Sequence, residues 1–173
     1  MYRNILVAVD GSPTSTLALL ETAKLAQADT TVRVVHVVEN PVWSIPLAAG
    51  VMYDVELMRA SFVQAGKDIL ERAKALLADK DIEARTHLVD LSEAGDRSIA
   101  AALVHEARDW PADLVVIGSH GRRGFRRLLM GSVAESVIRL AAAPVLLVRA
   151  ITMATADAET DLDQTREQTT GLQ

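Results

Sequence analysis

Three glycines and a serine carry the strongest chemical signal in the chain. Gly118, Gly121, Gly131 and Ser132 fall in the spacing G-x2-G-x9-G-S, inside a loop that also holds Arg122, Arg123, Arg126 and Arg127. Glycine lets backbone N–H groups come close to a ligand. Gly131-Ser132-Val133 then opens a helical run, whose first N–H groups and positive dipole end favour an anion. Ser132 adds a hydroxyl donor. The pattern reads as a phosphate cradle without a Walker lysine, since neither G-x-x-x-x-G-K-[ST] nor G-x-G-x-x-G occurs. A second unusual turn, Asp10-Gly11-Ser12-Pro13, follows the apolar run at residues 5–9. Asp10 reads either as a ligand contact or as the residue that closes this turn with Gly11.

Other chemistries find less support. The chain has no cysteine, which excludes disulfides, thiolate metal sites and cysteine nucleophiles. His36, His87, His105 and His120 have no metal-ligand spacing. Ser119-His120 lacks the G-x-S-x-G elbow of a hydrolase. The arginine cluster reads as phosphate contact or as a solvated face. Nucleic acid is disfavoured: Phe125 is the only stacking residue beside the arginines, and the chain carries a formal charge of −5.

These loops need a scaffold, and apolar patterning supplies one. Continuous apolar runs at 5–9, 32–38, 114–117 and 145–148, with a half-exposed edge run at 82–89, read as five strands. Helices are expected between them. The first is capped by Ser12 with Pro13 at its first position and runs to near Ala28. The second carries Met58, Phe62, Ala65, Ile69, Ala73 and Leu76 inward, with Arg59, Lys67, Glu71 and Lys74 opposite. A third, about 96–108, presents Ile99, Leu103 and Ala107. The last turns Val133, Val137 and Leu140 inward. Strands alternating with helices, each strand apolar throughout, imply a parallel sheet covered on both faces. The simplest winding is a single doubly wound α/β sheet of order 3-2-1-4-5. Ligands enter such sheets where the winding reverses, at the carboxyl ends of strands 1 and 4. Those ends are Asp10 and Gly118.

The chain has 173 residues, half of them apolar and only 3% aromatic, so one core of Ala, Val, Leu and Ile is expected. No apolar run reaches the roughly 18 residues of a membrane span, and the amino end has no signal-peptide pattern. A cytoplasmic protein is expected. Residues 150–173 hold a net −4, leaving −1 on residues 1–149, and read as an acidic disordered tail. The connection at 40–53, with Pro41, Trp43, Pro46, Gly50 and Met52, is long enough to cover something.

Residues 5–149 resemble the universal stress protein family. The resemblance rests on Ile5-Leu6-Val7-Ala8-Val9-Asp10-Gly11-Ser12, on His36-Val37-Val38, on the run from Asp113 through Gly121, and on Pro144-Val145-Leu146-Leu147-Val148. ATP-binding members carry G-x2-G-x9-G-[ST], which Gly118, Gly121, Gly131 and Ser132 fill. The resemblance implies ATP with an accompanying Mg²⁺. Gly118 would lie under the ribose, and Gly121, Gly131, Ser132 and Val133 would hold phosphates. Asp10 and the Val37 backbone would flank the adenine, unless Asp10 instead meets the phosphate-bound Mg²⁺. Ala8, Val9, Ile117, His120 and Arg122 would complete the lining. It also implies a homodimer through the last strand, Val145, Leu146, Leu147 and Val148, whose apolar edge invites pairing. The function expected is a nucleotide-binding stress-response regulator with slow or no hydrolysis. Alternatives are a low-turnover ATPase, or a partner-binding module whose nucleotide only stabilises the dimer.

Overall fold

The computed structural model describes residues 1–39, 54–94, 98–121 and 130–150. The expectations for Trp43, Met52, Arg122, Arg123, Arg126, Arg127 and the acidic tail lie outside the described residues. The elements run β1 (Asn4–Ala8), α1 (Pro13–Leu25), β2 (Thr31–Val38), α2 (Val55–Ala78), β3 (Ala84–Asp90), α3 (Leu91–Ala94), α4 (Ile99–Asp109), β4 (Leu114–Gly118), α5 (Ser132–Leu140) and β5 (Val145–Val148). The strands form one parallel sheet of order β3-β2-β1-β4-β5, as the patterning leads one to expect.

Strand alternation divides the core into two layers. Ile5, Val7 and Val9 point to the side covered by α1 and α2, where they meet Ala18, Leu19, Ile69, Leu70, Ala73 and Leu77. Leu6 and Ala8 point the other way, toward Leu103, Ala107, Ala134 and Val137 of α4 and α5. Ile5, Leu6 and Val7 are wholly buried, each contributing about 1.5–3 kcal/mol of apolar transfer. β1 is therefore the central rib of the sheet. β3 and β5 are its edges, β3 half-exposed as expected.

The helices depart from their expected faces in instructive ways. In α2 the buried positions are Gly66, Ile69, Leu70, Ala73 and Leu77. Ala65 is exposed and Phe62 keeps 37% exposure, so the stripe is rotated by about one residue. Gly66 is the reason. A Cβ there would lie 2.7 Å from His36 Cδ2 and 3.0 Å from Leu88 Cδ1, so the helix can settle on that side only because this position is bare. Arg59, expected outward, bends back to the sheet end and donates to Asp90 Oδ2 at 2.8 Å, with Glu93 as a second partner. In α4, Ala100 and Ala102 join Leu103 and Ala107 inside, while Ile99 is only half-buried. In α5, Ala134 and Val137 are buried and Leu140 stays 53% exposed. α1 stops at Leu25, and the short α3 was not foreseen.

Candidate functional site

The carboxyl ends of β1 and β4 lie side by side, with Val7 opposite Val116. β1 leaves the sheet at Ala8, and Val9 is held at once by β2: its N–H donates to Val35 O at 2.9 Å. Asp10 then folds back, its Oδ1 accepting the Ser12 N–H at 2.9 Å. Gly11, at φ +80°, makes the turn in a conformation that side chains rarely adopt. So Asp10 does close the turn. Its other oxygen faces the neighbouring loop, since a Cβ on Gly121 would lie 2.8 Å from Asp10 Oδ2.

α1 begins where this turn ends, and its first residues grip the loop after β4. Thr14 Oγ1 donates to the His120 carbonyl, with Ser12 Oγ at 3.5 Å from the same oxygen. Gly118 lies directly beneath: a Cβ there would stand 2.9 Å from the Thr14 carbonyl carbon. Gly118 is thus bare because α1 rests on it. Ser119 is buried, and its N–H donates to Val148 O at 2.7 Å.

The far side of the loop brings in α5. The Gly131 N–H donates to Ser119 O at 2.8 Å. The Gly131 amide, expected among the phosphate-holding groups, is bonded here to a carbonyl of the loop itself. As N-cap, Gly131 offers no side-chain acceptor, and the first helical bond runs from Glu135 N to Gly131 O at 3.0 Å. The amides of Ser132, Val133 and Ala134 therefore have no capping partner among the described residues. The exposed Ser132 hydroxyl lies beside them.

The remaining expected residues sort cleanly. The side chains of Ala8, Val9, Val37 and Ile117 are buried in the core, so only their backbones can serve a ligand. Val133 is half-buried against the α4–α5 layer. Arg122 lies outside the described residues. His120 Nδ1 lies 3.0 Å from Ser119 Oγ, and its Nε2 is buried without a hydrogen-bond partner among the described residues. A buried polar atom left so costs about 1–3 kcal/mol unless something completes it. Among the described residues no group of three His, Asp or Glu side chains could hold a metal ion. Asp10 is the carboxylate, among the described residues, that faces this loop.

Sequence reasoning gave His36 no ligand role but did not foresee its contact with the turn. Its ring is buried, and its Nδ1 stands 2.7 Å from the carbonyl of Val9. Only its place in an apolar strand could have flagged it.

With this geometry in view, the relatives are informative. The family model for the universal stress protein family matches residues 1–149. Universal stress protein YxiE of Bacillus subtilis is 31% identical over 156 residues, covering 86% of this chain and 100% of the relative. A universal stress family protein from Burkholderia pseudomallei superimposes with a TM-score of 0.67 at 31% identity, over 86% of this chain and 97% of that one. The universal stress protein from Archaeoglobus fulgidus in complex with dAMP gives a TM-score of 0.58 at 28% identity, over 85% of this chain and 98% of that one. Family model, relatives and fold agree, and the chain belongs to the universal stress protein family.

Proposed function

We propose that this protein is an adenine-nucleotide-binding regulator of the stress-response type, with ATP as its ligand and little or no turnover. The observation that carries the reading is the start of α5, without a cap among the described residues, together with the approach of Gly121, after β4, to Asp10. Its amides offer a polyphosphate three aligned donors and the positive end of the helix dipole. The A. fulgidus relative in complex with dAMP supports adenine as the base. The backbone of Val37 at the end of β2 and the Asp10 region would flank the adenine. Ser132, Val133 and the Gly121 segment would take phosphates, and the buried His120 Nε2 would gain a partner. Mg²⁺ would arrive with the phosphates, Asp10 being the carboxylate available to it.

Hydrolysis is slow on this reading because no described side chain is placed as a base for an attacking water. The protein acts in the cytoplasm as a homodimer, pairing the open edge of β5 at Val145, Leu146, Leu147 and Val148. The test is calorimetric titration with ATP, AMP and cyclic AMP, beside the mass of any nucleotide released when cell-purified protein is denatured. ATP binding that Ser132→Ala weakens supports the reading. No binding of any of the three at millimolar concentration overturns it.

A further inference from the structure

His36 is a buried imidazole that the nucleotide reading leaves without a task. Its Nδ1 meets the Val9 carbonyl at 2.7 Å, and because a carbonyl only accepts, that nitrogen carries the proton. The Val9 N–H is meanwhile bound to Val35 O at 2.9 Å. Both backbone polar groups of Val9 are therefore fixed to consecutive residues of β2. The next residue is Asp10, whose two oxygens face Ser12 N and the Gly121 position. On its other side the ring rests on α2, where a Cβ at Gly66 would lie 2.7 Å from Cδ2 and 3.2 Å from Nε2. A glycine in the interior of a 24-residue helix is unfavourable on propensity alone. It is explained here by the ring that occupies its place.

We infer that His36 is a positioning residue for the nucleotide site: held in place by Gly66 of α2, it fixes the Val9 carbonyl and so aims the Asp10 carboxylate. The inference rests on the proposed function. It adds a path by which α2 bears on the site without touching a ligand. Two consequences distinguish it from a histidine that merely fills the core. First, the essential atom is Nδ1–H, not the ring's bulk. Second, the effect on ligand passes through Asp10.

The experiment compares His36→Asn, whose amide N–H₂ stands near the place of Nδ1, with His36→Gln, whose amide reaches toward the place of Nε2. Gly66→Ala serves as a remote variant that favours the helix while crowding the ring. ATP affinity is measured calorimetrically for each, alone and with Asp10→Ala. Hydrogen exchange of the Ser12 amide is followed in ligand-free protein. His36→Gln and Gly66→Ala should each weaken ATP binding by roughly tenfold, the scale of one lost buried hydrogen bond. His36→Asn should stay within about twofold of the parent protein, and the His36→Gln penalty should shrink to about twofold or less beside Asp10→Ala. Ser12 exchange should quicken in His36→Gln but not in His36→Asn. Equal losses for Asn and Gln, or penalties that simply add to that of Asp10→Ala, overturn the inference. If the parent protein binds no ATP, the proposed function falls. Unchanged Ser12 exchange in His36→Gln would then overturn the positioning of Asp10 separately.

Discussion

Two helices start at the carboxyl ends of the central strands, and they treat their first turns in opposite ways. α1 is closed by its own residues. Ser12 Oγ accepts the Ser15 N–H at 3.2 Å, Pro13 has no N–H to satisfy, and both serines are buried. α5 begins at a glycine with no side chain to cap it, its first amides unmet among the described residues and Ser132 exposed. A side-chain N-cap is worth about 1 kcal/mol over alanine, so the open end forgoes stability that α1 collects. The proposed anion site rests on this contrast. A helix end sealed by its own side chains serves the fold, whereas one left open beside a glycine loop is available to a ligand. It also separates the glycines of the motif: Gly118 is spent on seating α1, and Gly131 keeps the α5 amides uncovered.

The largest expected effect breaks the sealed side. Gly118→Ala drives a Cβ to 2.9 Å from the Thr14 backbone, so it should cost about 2–3 kcal/mol by overpacking. Urea unfolding would show this, and an unchanged midpoint would mean that α1 does not rest there. The open side is tested by sealing it. Gly131 has φ −65° and ψ 146°, which any residue adopts, although a Cβ would come to 3.3 Å from Ser119 O. Gly131→Asp should cap α5 with its own carboxylate and weaken ATP binding tenfold or more, roughly 1.4 kcal/mol, without lowering the melting temperature. Retained affinity would show that the phosphates lie elsewhere. Ser12→Ala removes the cap of α1 and should cost about 1 kcal/mol of stability. Its nucleotide affinity should move less than that of Gly131→Asp; calorimetry on the two variants decides the order.

The smallest effect comes from a control at a third strand end. Asp90 repeats the turn of Asp10, its Oδ1 accepting the Ser92 N–H at 2.9 Å, but an arginine sits beside it. Burial pushes the Asp90 carboxyl up. The Ser92 N–H and then the Arg59 guanidinium outweigh that, and hold it below the usual carboxylate range. A depressed carboxylate stabilises the fold above its unfolded pKa, and that contribution is lost as pH falls through the folded value. Asp90→Asn should therefore cost about 1 kcal/mol or less at neutral pH, and should flatten the acid limb of stability measured between pH 5 and 2. ATP affinity should not change, because this turn lies at the end of edge strand β3, away from the β1 and β4 ends that form the proposed site. A large loss of binding would make Asp90 part of the site.

Much of this protein is legible before any coordinates. Four apolar runs too uniform for a one-sided sheet, with one half-exposed edge run, give five strands and their parallel winding, and the reversal point selects Asp10 and Gly118. The glycine spacing and Ser132 mark the proposed cradle, because helix starts and glycine turns are local chemistry. Three things were decided only by the tertiary structure. Gly118 has no side chain because Thr14, far off in the chain, lies on it. The Gly131 amide is taken by Ser119 O, which leaves the next three amides as donors for the proposed cradle. The inward face of α2 turned by one residue because Gly66 receives His36, and because Arg59 finds Asp90 at the end of β3. Periodicity states that a helix has an inner face. Which residues define that face depends on what stands opposite, and only folding brings those partners within contact distance.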